Sequence, residues 1–264
     1  MQIIQSAILG LTQGLTEFLP ISSSGHLIVI RSLFHYSLDN TLAFDVFLNT
    51  ATLLAVIYCF WGEINRLLED FFTEGFSSRS INLIYALIIG TIPAALIGFL
   101  YGNKIENAFR SPIIVALALI FGSLLMAIGD FANKKFQNHG GVNPLKGFVI
   151  GLFQTLALIP GVSRSGATIS GGLISKLSRE EAIRFSFLLY IPISIGALLK
   201  IVLDLGKSGL SNFINFPHIV GFLMALFSGI FAIRFMIRFL SRHSFNVFIA
   251  YRVILAILIL LFLR

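Results

Sequence analysis

Charge is what this chain has least of. Only 12% of its 264 residues are Asp, Glu, Lys or Arg, where soluble domains carry about 25%. That excludes an ordinary soluble domain. The mean hydropathy of +0.91 points to an integral membrane protein. Cysteine is almost missing too. Cys59 stands alone in an apolar run, so no intrachain disulfide forms. No basic run with interleaved aromatics occurs, which argues against a nucleic-acid surface. The net charge of +7 is read as loop Lys and Arg that orient the chain. No basic residue precedes the first apolar stretch, so a cleavable signal peptide is not expected. No Pro/Ser-rich linker divides the sequence, and a single membrane domain over 1–264 is expected. Phenylalanine is plentiful, at 27 residues, and suits a lipid-facing exterior.

Six stretches are long and apolar enough to cross about 30 Å of hydrocarbon. They lie near 42–61, 81–101, 112–131, 181–203, 217–240 and 246–263. Residues 2–34 and 145–176 are apolar but interrupted by Pro, Gly and Ser. Each reads as a re-entrant helix–loop–helix.

The two interrupted regions resemble each other. A shift of 141 residues carries Gly10, Leu11, Gln13, Leu15, Ser22, Ser24 and Gly25 onto Gly151, Leu152, Gln154, Leu156, Ser163, Ser165 and Gly166. That is seven identities in sixteen gapless columns, where average composition gives about one. The same shift sets Phe44 on Phe185 and Leu48 on Leu189. The expected fold class is therefore an all-α polytopic membrane protein. It has six transmembrane helices plus two re-entrant helix pairs, arranged as two repeats, 1–131 and 142–264. A re-entrant pair returns to its own side and three spans then cross, so the repeats are inverted in topology. Such repeats place a polar site near the midplane, and irregular backbone there must line a protein cavity. Loops 62–80, 132–146, 176–184 and 234–245 hold most of the basic residues, which makes that side cytoplasmic. The mouth of the first pair then faces outward. Arg31, Lys104, Arg110, Lys200, Lys207 and Arg264 fall on the outer side.

Chemistry concentrates in the interrupted regions. Gln13 and Glu17 are four apart and share one helix face. An ionised residue in a membrane helix costs about 2.5–3.5 kcal/mol, so a cation, a metal or a proton must offset Glu17. Pro20 ends or kinks that helix. Ser22, Ser23, Ser24 and Gly25 supply hydroxyls and a free backbone, and a helix starting near His26 favours an anion at its N-terminus. His26 is a residue type able to move a proton near neutral pH. In the second region, "PGVSRSGAT" supplies Ser163, Ser165 and Thr168, the flexible Gly161 and Gly166, and Arg164. The Arg164 fork suits phosphate oxygens. If the two loops meet, one chamber holds a phosphate clamp, an acid/base pair, hydroxyls and a carboxylate able to hold Mg²⁺ or Ca²⁺. Those are the parts for hydrolysing a phosphate ester inside a membrane.

At these residues the chain resembles the undecaprenyl-pyrophosphate phosphatase family of the bacitracin-resistance type. The family's (Glu/Gln)-x-x-x-Glu motif reads "QGLTE" from Gln13 to Glu17. Its Pro-x-Ser-Ser-x-Gly-His motif reads "PISSSGH" from Pro20 to His26, and its Pro-Gly-x-Ser-Arg-Ser-x-x-Thr motif reads "PGVSRSGAT". The resemblance extends over the whole chain. It implies hydrolysis of undecaprenyl diphosphate to undecaprenyl phosphate and inorganic phosphate, which recycles the cell-wall lipid carrier and, when the enzyme is abundant, gives bacitracin resistance. The implied setting is the bacterial plasma (inner) membrane, with the site opening to the outer, periplasmic side. The partners are then a polyprenyl diphosphate and membrane lipids, with no nucleic acid; a homodimer stays open. Ser23 is expected as nucleophile, with direct attack by water as the alternative. His26 is expected as acid/base, and Glu17, helped by Gln13, as the cation holder or the residue that tunes His26. Arg164 is expected to neutralise the transferred phosphoryl group. Ser22, Ser24, Gly25, Ser163, Ser165, Gly166 and Thr168 are expected to bind the phosphates. Gln13 takes the neutral option of the family motif, which leaves one carboxylate rather than two and weakens the case for a metal. Asn49, within "FLNTATLL", is a weak site candidate.

Blander roles suit the other polar residues. His35, His139, His218 and His243 read as solvated loop or span-end residues. Glu180 and Glu181 suit a helix start. Arg252 is expected to pair with a polar group or to snorkel. Asp45, one turn before Asn49, is ambiguous. The rival function is a secondary transporter or flippase of an anionic or polyprenyl-phosphate substrate, since inverted repeats with broken helices also build transporters.

Overall fold

The computed structural model describes residues 2–34, 41–73, 79–109, 111–136 and 140–262. Among them every regular element is an α-helix: α1 (Gln2–Phe18), α2 (Ser23–Phe34), α3 (Thr41–Cys59), α4 (Trp61–Thr73), α5 (Arg79–Phe109), α6 (Pro112–Lys135), α7 (Pro144–Leu156), α8 (Arg164–Ile174), α9 (Arg179–Phe213), α10 (Phe216–Leu240) and α11 (Asn246–Phe262). His35, His139, Arg110 and Arg264 lie outside the described residues.

Helix starts follow the local sequence. Asn143 accepts from Lys146 N ahead of Pro144, and Ser111 accepts from Ile114 N ahead of Pro112. Ser178 and Glu181 form a capping box at the head of α9, which accounts for the acidic start there.

Four segments are long and apolar enough to cross a membrane unaided: Ser80–Gly102, Pro112–Lys135, Arg179–Leu203 and Phe216–Leu240. The protein is a multi-pass membrane protein. Two expected spans look different. The stretch near 42–61 belongs to α3 and α4, which meet at a 69° bend between Cys59 and Trp61. Glu63, Arg66, Glu69 and Asp70 give α4 a polar face, so it turns aside instead of extending α3. The last span is α11, a 17-residue helix. At 1.5 Å per residue it is about 26 Å long, at the lower end of the length a hydrocarbon crossing needs.

The helices pack across the two halves of the sequence. α1 lies mainly on α10, and α7 lies mainly on α5. Glycine lets both pairs close. A Cβ on Gly10 would sit 2.0 Å from the Gly221 carbonyl oxygen, and one on Gly151 would sit 2.3 Å from that of Gly90. These are small-residue helix contacts of the membrane kind, in which backbones touch. At the centre, Phe18 meets Phe187 and Tyr190 edge-on, with ring centroids 5.5 and 5.8 Å apart. Large apolar residues such as Phe99, Phe131, Phe227 and Phe231 cover the outside. One solvated assignment is corrected here: His218 is buried, with its ring 4.7 Å from that of Phe44. Its place in the first turn of α10 turns it onto α3. His243 is exposed, as expected.

Candidate active site

Two helix pairs, α1–α2 and α7–α8, bring their connecting loops together. The loops share an uncommon backbone. Ser22 has φ 74° and Ser163, its partner by the 141-residue shift, has φ 75°. Positive φ in a non-glycine residue is strained and collects at functional sites. Each serine then caps the helix that follows: Gly25 N–H donates to Ser22 Oγ, and Gly166 N–H to Ser163 Oγ, both at 3.3 Å. Bonds also run from loop to loop. Gly161 N–H donates to Ser22 Oγ at 3.1 Å, and the Ser165 hydroxyl to the Leu19 carbonyl at 3.3 Å.

Glu17, at the end of α1, is the hub. Arg164 Nη2 donates to its Oε1 at 3.2 Å. The Ser23 hydroxyl donates to its Oε2 at 2.6 Å, and Gln13 Nε2 donates to the same oxygen at 2.8 Å. Glu17 is 9% exposed, so this ion pair is largely dry and stronger than a surface pair. Arg164 is held on three sides. Nη1 donates to the Ser186 carbonyl at 3.0 Å, the guanidinium stacks 4.0 Å from the Tyr190 ring centre, and Nε has no partner among the described residues. An unsatisfied buried N–H of a cation is a donor ready for an anion.

Ser23, Gln13, Glu17 and Arg164 are thus brought together. His26 stands one turn beyond Ser23 and bonds elsewhere. Its Nδ1 lies 2.7 Å from the Ser22 carbonyl and its Nε2 lies 2.7 Å from the Tyr251 hydroxyl. A carbonyl only accepts, so Nδ1 carries a proton, and in the neutral ring the Tyr251 hydroxyl donates to Nε2. The group in contact with the Ser23 proton is therefore Glu17. Most of the expected phosphate ligands are occupied by architecture. Ser22 and Ser165 join the loops, Ser163 caps α8, and Thr168 Oγ1 donates to the Arg164 carbonyl at 2.8 Å and meets Ser186 Oγ at 2.6 Å. Gly25 and Gly166 permit close packing, with a Cβ falling 3.1 Å from Val115 and 3.2 Å from Met126. Ser24 stays exposed.

Asn49 accepts from Gln13 Nε2 at 2.7 Å through its Oδ1, which ties α3 to the site. Tyr190, Ser186 and Tyr251 are not marked out by any sequence motif. A signal for Tyr190 was present: it is the 141-residue counterpart of Asn49, and its hydroxyl donates to the Asn49 carbonyl at 3.1 Å. Arg252 is fully buried and bonded to backbone oxygens, so it pairs as expected and does not snorkel.

The donors do not fit a resident divalent cation. Both Glu17 oxygens already face hydrogen-bond donors, one of them a guanidinium. Gln13 turns its N–H groups to Glu17 and Asn49, and a lone carboxylate is a weak cage. Among the described residues no three His, Cys, Asp or Glu side chains gather as a metal set.

Beside the site is a cavity of about 670 Å³, bordered by Ser24 and Asn49. Its walls are mostly apolar, with Ala95, Phe99, Leu158 and Ile193, and Asp45 and Lys200 also border it.

Known proteins are similar to this chain over nearly its whole length. An undecaprenyl-diphosphatase of Moorella thermoacetica is 41% identical over 259 residues, covering 98% of this chain and 97% of the relative. Undecaprenyl-diphosphatases of Geotalea daltonii and Thermodesulfovibrio yellowstonii are each 39% identical, covering 100% and 98% of this chain and 99% and 97% of the relatives. With residues 6–258 matching the pattern of the bacitracin resistance protein BacA, the chain belongs to that family.

Proposed function

We propose that this protein is an integral membrane phosphatase that hydrolyses undecaprenyl diphosphate to undecaprenyl phosphate and inorganic phosphate, recycling the cell-wall lipid carrier. The observation that carries the reading is the Ser23–Glu17–Arg164 contact, made where the two loops meet. A binding protein for the same lipid needs the arginine but not a hydroxyl poised on a carboxylate.

In this reading the terminal phosphate lies against Arg164 and the first N–H groups of α2 and α8, an anion site of the helix-terminus kind. Ser23 Oγ attacks the terminal phosphorus. Its proton passes to Glu17 Oε2, the atom it already bonds. The bond to the bridging oxygen breaks, and undecaprenyl phosphate leaves. Water then cleaves the phosphoserine: the water's proton goes to the departing phosphate, and the proton held by Glu17 returns to Ser23 Oγ, which restores both residues. Arg164 neutralises charge on the equatorial oxygens, and such electrostatic stabilisation is the largest part of catalysis in phosphoryl transfer. The leaving phosphate is already a stable anion, with a second pKa of about 6, so little general acid is needed. His26 therefore holds the first turn of α2 through Ser22 and Tyr251. A divalent cation, in this reading, comes with the diphosphate and not with Glu17.

The cavity beside Ser24 and Asn49 takes the first isoprenoid units, because it is apolar and adjoins the phosphate end. We place the chain in the bacterial plasma membrane as six spans with two re-entrant pairs in inverted repeats. The site opens to the outer side, opposite the basic loops. Support for the inversion comes from the paired backbone of Ser22 and Ser163 and from the crossed packing of α1 on α10 and α7 on α5.

The test is phosphate release from a polyprenyl diphosphate by the purified protein in detergent. Wild type turns over, while Ser23→Ala, Glu17→Gln and Arg164→Ala fall by at least about 10³-fold, the scale of losing a nucleophile or a charge clamp. Equal release from all four would sink the enzyme reading and restore the transporter.

A further inference from the structure

Arg252 is a cation with no anionic partner among the described residues. It lies on α11 at 0% exposure. Its hydrogen bonds go to neutral oxygens: Nε to the Leu119 carbonyl at 3.2 Å and to Ser123 Oγ at 3.1 Å, and Nη2 to the Leu119 carbonyl at 3.0 Å. Nη1 donates to the Pro20 carbonyl at 3.0 Å, and Nη2 also reaches the carbonyls of Gly161 at 2.9 Å and Val162 at 3.0 Å. Burying a charge without a counter-ion is expensive and tolerated where every donor is used.

The places those bonds land matter more than their number. Pro20 belongs to the first loop, Gly161 and Val162 to the second, and Leu119 and Ser123 to α6. One planar group grips both loops at once from behind. The neighbouring residue, Tyr251, holds His26 on α2. Gly122 makes the room: a Cβ there would lie 2.2 Å from Arg252 Nη2 and 2.4 Å from the Val162 carbonyl. The Val162–Ser163 peptide is also turned by this grip. Its carbonyl points at the guanidinium, so the Ser163 N–H, antiparallel across a trans peptide, points away from it.

We propose that Arg252 is a positioning residue that fixes the two loops in the register at which Arg164 meets Glu17 and Ser23. It thereby sets the rate of the chemical step and not the binding of substrate. The proposal rests on the reading of that trio as the reacting centre. Lysine keeps the charge but offers a single point, and it cannot hold three carbonyls of two loops together. A loop shift near 1 Å at the reacting atoms costs on the order of 10²-fold in rate.

The experiment compares wild type, Arg252→Lys and Gly122→Ala as purified full-length protein in detergent. It measures kcat and KM on a polyprenyl diphosphate, together with thermal unfolding. Both variants are expected to stay folded and to lose about 30–100-fold in kcat with KM within about threefold. Ser165→Ala, which removes another bond between the loops, is expected to add less than multiplicatively to Arg252→Lys, because both act on one register. The proposal is overturned if Arg252→Lys keeps kcat within about twofold. It is also overturned if activity falls only with the folded fraction, if the double variant is multiplicative, or if neither variant folds, since those results leave a scaffold role. Ser23→Ala, assayed alongside, separates the readings. If it remains active, the reacting trio is wrong; if it is dead while Arg252→Lys is normal, only the positioning role fails.

Discussion

Tyr190 donates its hydroxyl to the backbone carbonyl of Asn49, and the two residues are 141 positions apart. That is the offset that carries the first loop onto the second. Positions matched by that offset therefore touch each other beside the site, as the proposed inverted repeat requires. Thr52 meets the same hydroxyl at 2.7 Å, and the ring of Tyr190 lies under Arg164.

The two faces of Tyr190 separate by substitution. Tyr190→Phe removes the hydroxyl bonds and keeps the ring under Arg164. A net hydrogen bond contributes about 0.5–1.5 kcal/mol, so kcat is expected to fall about 3–10-fold. Tyr190→Leu also removes the cation–π contact, which adds about 0.5–2 kcal/mol and a further several-fold loss. Steady-state kinetics on the two variants check the order. Equal losses would show that the ring does not hold Arg164.

Gln13 is a neutral neighbour, so Glu17 carries the one negative charge in its cluster with Gln13, Ser23 and Arg164. Gln13→Glu would place two carboxylates where one amide now donates to Glu17 at 2.8 Å and to Asn49 at 2.7 Å. Like charges at that range repel unless a cation joins them. The variant is expected to unfold at a lower temperature without Mg²⁺ and to be stabilised by millimolar Mg²⁺. Wild type, without substrate, is expected to show no such shift. Thermal scans with and without Mg²⁺ and a chelator decide it.

The sequence made the site more legible than the membrane crossing. Gln13, Glu17, the serine run and Arg164 stood out because polar residues in apolar helices must have a reason, and the 141-residue offset tied their two loops together. Tyr190 and Ser186 were hidden because aromatic and hydroxyl residues are ordinary on a membrane helix. The partner of His26 was hidden for a different reason: only the fold brings Tyr251 of α11 to α2. The bend between Cys59 and Trp61 was missed because hydropathy over 42–61 continues smoothly through Phe60. The polar face that turns α4 aside begins only at Glu63.

Backbone contact at the glycines gives a stability test. Gly151→Ala would drive a Cβ to 2.3 Å from the Gly90 carbonyl oxygen, so α7 and α5 must separate. A loss of about 1–3 kcal/mol or more is expected, as for overpacking in a dense core. Gly62→Ala is the control. Among the described residues, nothing outside its own helix turn lies within 4 Å of its Cβ, and it sits in the first turn of α4, so it is expected to be neutral or slightly stabilising. Thermal unfolding of the pair in one detergent makes the comparison, and a neutral Gly151→Ala would contradict the α5–α7 packing.

The cavity beside Ser24 and Asn49 predicts a split between binding and chemistry. Gly98 lies on its wall, and among the described residues a Cβ there meets Leu158 alone, at 3.7 Å. Gly98→Leu therefore grows into the cavity without striking backbone. If the first isoprenoid units occupy that space, the loss of about 70–100 Å² of apolar contact, at roughly 25 cal/mol per Å², raises KM for a polyprenyl diphosphate about 20–60-fold. Hydrolysis of inorganic pyrophosphate, which has no tail, should be unchanged, because Gly98 touches none of Ser23, Glu17 or Arg164. A parallel fall on both substrates would mean that the substitution disturbs the reacting groups. An unchanged KM on the lipid would place the tail elsewhere, most simply along the outer faces of α5 and α9, where lipid already supplies an apolar surface.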